Sequence, residues 1–207
     1  MSKFTFTLLT NEYIPDVRAL LLNSFFLHEP LNERFGYNLP DEVEDFIDDV
    51  VKCALRDQCS FVALDGNQLA GMALNTICQK NDASKANKYQ SASLQYIFTM
   101  LGLLHQAKNV YDHFNVDRIL YTAVISVDPN YRGQRLSEQL LEKSLEYAKE
   151  SLHLQAAYTE TSSYYSLKAF LKMNYERLYE IMYETYDKEK LSNMGVHDRC
   201  TLVGRKL

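Results

Sequence analysis

The 207-residue chain has no tryptophan, only seven glycines, four prolines and four cysteines. So little glycine and proline excludes a collagen repeat and a Pro/Gly-rich disordered chain. Cys53, Cys59, Cys78 and Cys200 are scattered and form no Cys-x-x-Cys pair. That excludes a disulfide framework and points to reduced thiols in a cytoplasmic protein. No stretch reaches about 18 consecutive apolar residues, so no membrane span is expected. The opening Met-Ser-Lys-Phe-Thr-Phe-Thr has no basic region followed by an apolar core, so no signal peptide is expected either. His28, His105, His113, His153 and His197 show no ligand spacing with Cys or carboxylates, so no metal is expected. Basic residues are in deficit, 22 Lys and Arg against 27 Asp and Glu, a net charge of −5. That balance gives no general attraction to nucleic acid or an anionic membrane.

What is present is ordinary for a globular protein: 46% apolar and 24% charged residues, with 15 tyrosines standing out. The length suits one domain over 1–207, and no linker or repeat divides it. Phe4, Phe6 and Leu8 alternate with Thr5 and Thr7, which predicts a half-buried strand. A helix over about 11–24 follows and is broken at Glu29-Pro30. A second helix is expected over 41–57, with Val43, Phe46, Ile47, Val50, Val51 and Ala54 on its apolar face. The acidic residues between 41 and 49 then form its solvent face. A hairpin turns at Asp65-Gly66-Asn67 between strands 61–64 and 69–78. Residues 79–90 read as a polar loop, and 92–114 as one or two helices.

Residues 118–127 form an almost continuous apolar, β-branched run, the mark of a central strand covered on both faces. Then come a helix over 134–150, a strand at 154–159, a helix at 163–173, a tyrosine-dense strand at 175–186 and a strand at 199–205. The fold class is α/β (α+β) with a mixed sheet. Cys53 on a helix and Cys78 on a strand read as core residues rather than nucleophiles.

The stretch Ile125-Ser126-Val127-Asp128-Pro129-Asn130-Tyr131-Arg132-Gly133-Gln134-Arg135-Leu136-Ser137 carries the most chemistry. A buried strand passes through a proline turn into a basic, glycine-containing loop that opens a helix. Free N–H groups at the helix start, the helix dipole and two arginines favour a phosphate there. No Gly-x-x-x-x-Gly-Lys-[Ser/Thr], no Gly-x-Gly-x-x-Gly and no Gly-x-Ser-x-Gly occurs. A P-loop kinase, a Rossmann dehydrogenase and an α/β-hydrolase elbow are therefore disfavoured.

Val-Asp-Pro-x-Tyr-Arg-Gly-x-x-Leu resembles the acetyl-CoA pyrophosphate loop of the GCN5-related N-acetyltransferase (GNAT) superfamily, and the order of elements resembles that fold over almost the whole chain. Two more segments are similar to the insect arylalkylamine (dopamine-type) N-acetyltransferases: Phe25 to Asn32, with its Glu-Pro-Leu, and Thr161 to Ser166. The helical insertion at about 91–114 suits that branch. The resemblance implies a central, mostly antiparallel twisted sheet flanked by helices. It implies acetyl-CoA as co-substrate and a small amine as acceptor, such as dopamine, serotonin, tyramine, octopamine or a polyamine. No nucleic-acid or membrane partner is implied, and the chain is expected to be a monomer or weak homodimer.

Carried over residue by residue, the backbone at Ile125 and Val127 would pair with the pantetheine amides. Arg132, Gly133, Gln134, Arg135, Leu136 and Ser137 would cradle the pyrophosphate. Glu29 would be the general base, with Ser162 and Ser166 as the other catalytic groups. Helix N-capping is the competing reading of both serines. Arg135 and Ser137 stand where the superfamily carries small residues, Gly or Ala in the second case. Arg135 either crowds the phosphate or adds a cation, and helical dihedrals at 135 would need no glycine. Phe170 stands where many members have a general-acid Tyr. Asn174-Tyr175 replaces Gly-Phe, a mild change, because Asn tolerates a left-handed cap. A peptide or protein N-acetyltransferase and a weakly catalytic CoA-binding protein are the alternatives.

Overall fold

The computed structural model describes residues 3–82 and 89–207. Residues 83–88 of the expected polar loop lie outside the described residues. The strands β1 (Thr5–Leu8), β2 (Phe61–Asp65), β3 (Gln68–Gln79), β4 (Arg118–Val127), β5 (Ala156–Thr161), β6 (Glu176–Met182) and β7 (Arg199–Lys206) form one sheet, ordered β1-β2-β3-β4-β5-β7-β6. Every neighbouring pair is antiparallel except β4–β5. The mixed, mostly antiparallel sheet is the expected one, and β4 is its middle strand.

The helices are α1 (Ile14–Leu20), α2 (Phe26–His28), α3 (Pro30–Phe35), α4 (Glu44–Asp57), α5 (Ala92–Ala107), α6 (Val110–Phe114), α7 (Leu136–Glu150), α8 (Tyr164–Lys172), α9 (Tyr183–Tyr186) and α10 (Lys188–Leu191). On α4, Phe46, Ile47, Val50, Val51 and Ala54 recur every three or four residues and are buried with α1 against the sheet. On α7, Leu136, Leu140, Leu141, Leu145 and Ala148 do the same on the opposite face. Each such leucine contributes about 1.5–3 kcal/mol over an exposed one. At Gly71 of β3 an added Cβ would lie 3.1 Å from the Ser126 carbonyl oxygen and 3.3 Å from both Leu136 and Leu140. The missing side chain there lets α7 sit close on the sheet.

Several boundaries differ from the sequence reading. The first helix runs on past 24 as a π-turn over Leu21–Phe25 and then α2, and breaks at Glu29, whose ψ is 131°. Helix α3 was not anticipated. It is six residues long and is capped by the Glu29 side chain. Helix α4 starts at Glu44 rather than 41, because 40–43 form turns. The tyrosine-dense strand stops at Met182 and turns into α9. Asn174 does adopt the left-handed conformation, with φ 61°.

The feature that shapes the site is a bulge in β4. Leu74 pairs with Val124 and Asn75 with Thr122, so Ala123 has no partner on β3. Leu120 and Ile125 pack toward α7, whereas Ala123 and Val124 both pack toward α1 and α4. The extra residue thus reverses the alternation along the strand. A buried polar network brackets the bulge. Thr122 donates to Asn75 Oδ1 at 2.8 Å, and Asn75 Nδ2 donates to the Cys59 carbonyl at 2.8 Å and to Ser144 of α7 at 2.9 Å. Ser60 closes it, accepting from Asn75 N–H at 2.8 Å.

Candidate active site

Strands β4 and β5 pair only at Leu120–Ala157 and Tyr121–Tyr158. Thr159 makes the last link, donating to the Thr122 carbonyl at 2.8 Å. Beyond that point the strands part, and a cavity of about 780 Å³ opens between them, within the range of a small-molecule site. Glu29, Ile125, Val127, Arg132, Gly133, Arg135, Leu136, Ser137, Ser162 and Ser166 all line it. Gln134 does not: it is exposed, on the outside of the turn between two left-handed residues.

One half of the cavity is backbone. Asp128 N–H donates to the Ala70 carbonyl of β3 at 3.0 Å. Peptide groups alternate sides along a strand, so those of Ile125 and Val127 face away from β3, into the gap. The Val127 carbonyl accepts from Ser24 at 3.4 Å, and Arg132 also reaches Ser24 at 3.4 Å. Ser24 sits in the π-turn, which brings it and Phe25 to the cavity wall.

Asp128 then accepts from Asn130 N–H at 2.8 Å and turns the chain. Gly133 has φ 78° and Arg135 φ 57°, and α7 begins at Leu136 with no side-chain cap. Left-handed residues before an uncapped helix turn successive N–H groups inward, forming a concave anion seat on the positive end of the dipole. The helical dihedrals expected at Arg135 are therefore corrected, and the helix starts two residues later than 134. The Arg135 guanidinium pairs with Glu138, which also takes Lys172 at 2.9 Å. It neither fills the seat nor stands free beside it.

The other half is built from side chains. Glu29 accepts from Leu31 N–H at 3.2 Å and Asn32 N–H at 2.8 Å, and the Ser162 hydroxyl bonds to it as well. Burial pushes its carboxyl above the ordinary value, and these three hydrogen bonds pull the other way without cancelling the rise. Ser162 is not a helix cap. Ser163 fills that position, accepting from Ser166 N–H at 3.0 Å, while the Ser166 hydroxyl donates to the Ser163 carbonyl at 3.0 Å. The capping reading thus applies to Ser163 and not to Ser162 or Ser166, which lies in the first turn of α8. Tyr183 instead holds the Ser162 carbonyl at 2.7 Å. Phe170 is buried edge-on against Tyr175, at 4.9 Å between ring centroids.

Sequence reasoning missed the place of His197, Glu160, Tyr121, Asp49 and Tyr89 on this wall. His197 accepts from Tyr164 N–H through Nδ1 at 3.1 Å, and burial lowers its pKa. Glu160 of β5 forms an ion pair with His105 of α5 and a hydrogen bond with Tyr121. The proton equilibria of that pair shift in opposite directions, Glu160 down and His105 up, as an ion pair requires. Asp49 lies on the cavity rather than the outer face of α4, and Tyr89 donates to it at 3.0 Å. The outer acidic face is real at Glu44 and Asp48, which pair with Arg18 of α1. Among the described residues, no helix is long and apolar enough to cross a membrane.

The whole chain superposes on solved acetyltransferases. Arylalkylamine N-acetyltransferase 2 from Aedes aegypti is 26% identical, with a TM-score of 0.86 and 99% of each chain covered. A putative arylalkylamine N-acetyltransferase 7 from the same mosquito is 20% identical, with a TM-score of 0.87 over 98% of this chain and 87% of that one. The polyamine N-acetyltransferase of Drosophila melanogaster, which forms N-acetylagmatine, is 18% identical, with a TM-score of 0.83 over 99% of this chain and 100% of that one. The family model for GNAT acetyltransferases matches residues 24–175. With the bulged central strand, the parted β4–β5 pair and the anion seat before α7 in place, the chain belongs to the acetyltransferase (GNAT) family, whose co-substrate is acetyl-CoA.

Proposed function

We propose that the protein transfers the acetyl group of acetyl-CoA to a small primary amine, with arylalkylamines such as dopamine, serotonin or tyramine as acceptors and Glu29 as the general base. The observation that carries this reading is the Glu29–Ser162 pair. It is a carboxyl with a raised pKa in the cavity that also holds the phosphate seat. The mosquito and fly acetyltransferases of the same fold support an amine as the acceptor.

Acetyl-CoA supplies an activated thioester carbonyl. The seat formed by Arg132 to Ser137 holds its pyrophosphate through backbone N–H groups, and Ile125 and Val127 bind the pantetheine amides. Gln134 contributes through its peptide group rather than its side chain. An ammonium is no nucleophile, so Glu29 removes one proton from the acceptor, and a raised pKa makes it a better base near neutrality. A strand-end N–H stabilises the negative charge that develops on the carbonyl oxygen. A second proton of the amine nitrogen is lost as the amide forms. The departing thiolate takes up one proton, for which Ser166 acts as donor or relay, and one proton is released to solvent. Phe170 has no acidic proton and takes no part.

The test is free-thiol release from acetyl-CoA with a panel of amines. Release with arylalkylamines well above background supports the reading. Background rates with CoA still bound would leave a binding protein, and activity confined to N-terminal or histone-tail peptides would make it a peptide acetyltransferase. The carboxylates of Asp49 and Glu160 on the same wall favour polyamine acceptors as a second reading.

A further inference from the structure

Glu160 has no part in the acetyl transfer just described, yet it is a buried carboxylate on the cavity wall. Its side chain is only 6% exposed, and withdrawing a carboxylate from water is costly unless it is paired. His105, carried by the helical insertion, offsets that cost as an ion-pair partner. Tyr121 adds a hydrogen bond, and so does the residue's own backbone. A carboxylate has about four acceptor sites, so capacity remains toward the cavity that Glu160 lines. The surrounding rings hold it still: Tyr121 stacks on Tyr158 at 4.8 Å, and His105 meets Tyr158 edge-on at 5.4 Å.

Position supplies the rest of the argument. Tyr158, Glu160 and Ser162 alternate onto one face of β5 and its exit. Two residues of extended chain separate Glu160 from Ser162 by roughly 7 Å. Ser162 is bonded to Glu29, so an acceptor whose amino group meets Glu29 lies along this face with its far end at Glu160.

We infer that Glu160 is a specificity-determining residue: it receives a hydrogen-bond donor at the far end of the acceptor. The inference rests on the small-amine reading above and narrows it. The favoured acceptors are primary amines carrying a second donor, a phenolic hydroxyl or a second ammonium, at the end remote from the reacting nitrogen.

Matched amines test it: tyramine against phenethylamine, and putrescine against butylamine. Binding is measured calorimetrically on the CoA-loaded protein, and KM and kcat by thiol release. The donor-bearing member of at least one pair should bind roughly ten- to a hundredfold more tightly, as a hydrogen bond to a charged group does. Preference within the tyramine pair alone identifies the group read as a hydroxyl; preference within the putrescine pair alone identifies it as an ammonium. Glu160→Gln should reduce that preference to within about threefold. Should that variant not fold, the double variant Glu160→Met with His105→Leu replaces the ion pair with apolar volume and should lose the preference equally. Equal binding of both members by the natural protein would overturn the inference, as would an equal loss for both in the variant. Selective binding without turnover would overturn the proposed activity and keep this site. Turnover without selectivity would do the reverse, and no binding of any amine would overturn both.

Discussion

The two halves of the cleft are built by opposite means. The half assigned to acetyl-CoA is backbone: the parted end of β4, left-handed Gly133 and Arg135, and the uncapped start of α7. Its lining residues Arg132, Gly133 and Arg135 are exposed. The half assigned to the amine is side chain: Glu29 from the break before α3, Ser162 from just past β5, and Glu160 from near the end of β5, paired with His105 from α5. Backbone groups read what every acyl-CoA shares. In the proposed reaction side chains read the acceptor, and their exchange leaves the seat undisturbed. A family built this way keeps its donor and varies its acceptor.

The largest expected effect breaks the acceptor half. Glu29→Gln should lower kcat by about 10²–10⁴, the usual contribution of a general base, with acetyl-CoA affinity unchanged. The natural protein should gain activity as pH rises through the raised pKa of Glu29, because only the carboxylate can take the proton. A pH–rate profile in which the Gln variant keeps that rising limb would remove Glu29 as the base. The next effect breaks the donor half. An added Cβ at Gly133 meets nothing within 4 Å, so Gly133→Ala tests the backbone alone. Holding φ near 78° with a side chain costs about 1–2 kcal/mol, so KM for acetyl-CoA should rise about tenfold. Saturating acetyl-CoA should restore kcat, and a lasting fall in kcat would mean that the loop also positions the acceptor half.

A smaller effect sharpens the boundary between the halves. The Ser162 hydroxyl is the foremost of the hydrogen bonds holding the pKa of Glu29 down. Ser162→Ala should therefore move the rising limb of the pH profile to higher pH. Below that limb the rate falls several-fold, and above it the rate recovers. A fall that persists at high pH would instead make Ser162 a direct participant.

The same division explains what the sequence could disclose. The donor half lies in one continuous stretch, 125–137, where a strand, a turn and a helix start are each locally encoded. Glu29 was legible through the resemblance of its Glu-Pro-Leu segment to the insect enzymes, while the proline after it disclosed only the helix break. Helix α3 was not: six residues are too few to display a period, and its cap is the very Glu29 read as a base. The bulge at Ala123 was hidden because an apolar run covered on both faces has no alternation to interrupt. Helix α9 was masked by Tyr183 and Tyr186, residues that favour strands by propensity and are overruled by the end of the sheet. Glu160 and His105 are 55 positions apart. Only the packing of the insertion against β5 joins them, and no spacing rule could announce the pair.

Arg135 tests how far a side chain can intrude on the backbone half. It stands at φ 57°, where an L-residue other than glycine is held at a cost of about 1–2 kcal/mol. The Arg135–Glu138–Lys172 cluster is partly exposed, and such pairs return about 0–1 kcal/mol. Strain and pairing therefore nearly balance, with strain ahead. Arg135→Gly should stabilise the fold by about 1 kcal/mol, seen as a Tm increase of about 2–4 °C for a chain of this length. Arg135→Ala, which keeps the strain and loses the pairing, should lower the Tm instead. Acetyl-CoA KM should move less than about threefold in either variant, because the guanidinium is turned onto Glu138 and away from the seat. A larger rise in KM would show that Arg135 leaves Glu138 for the phosphate when the donor binds, and the donor half would then have a side-chain reader after all.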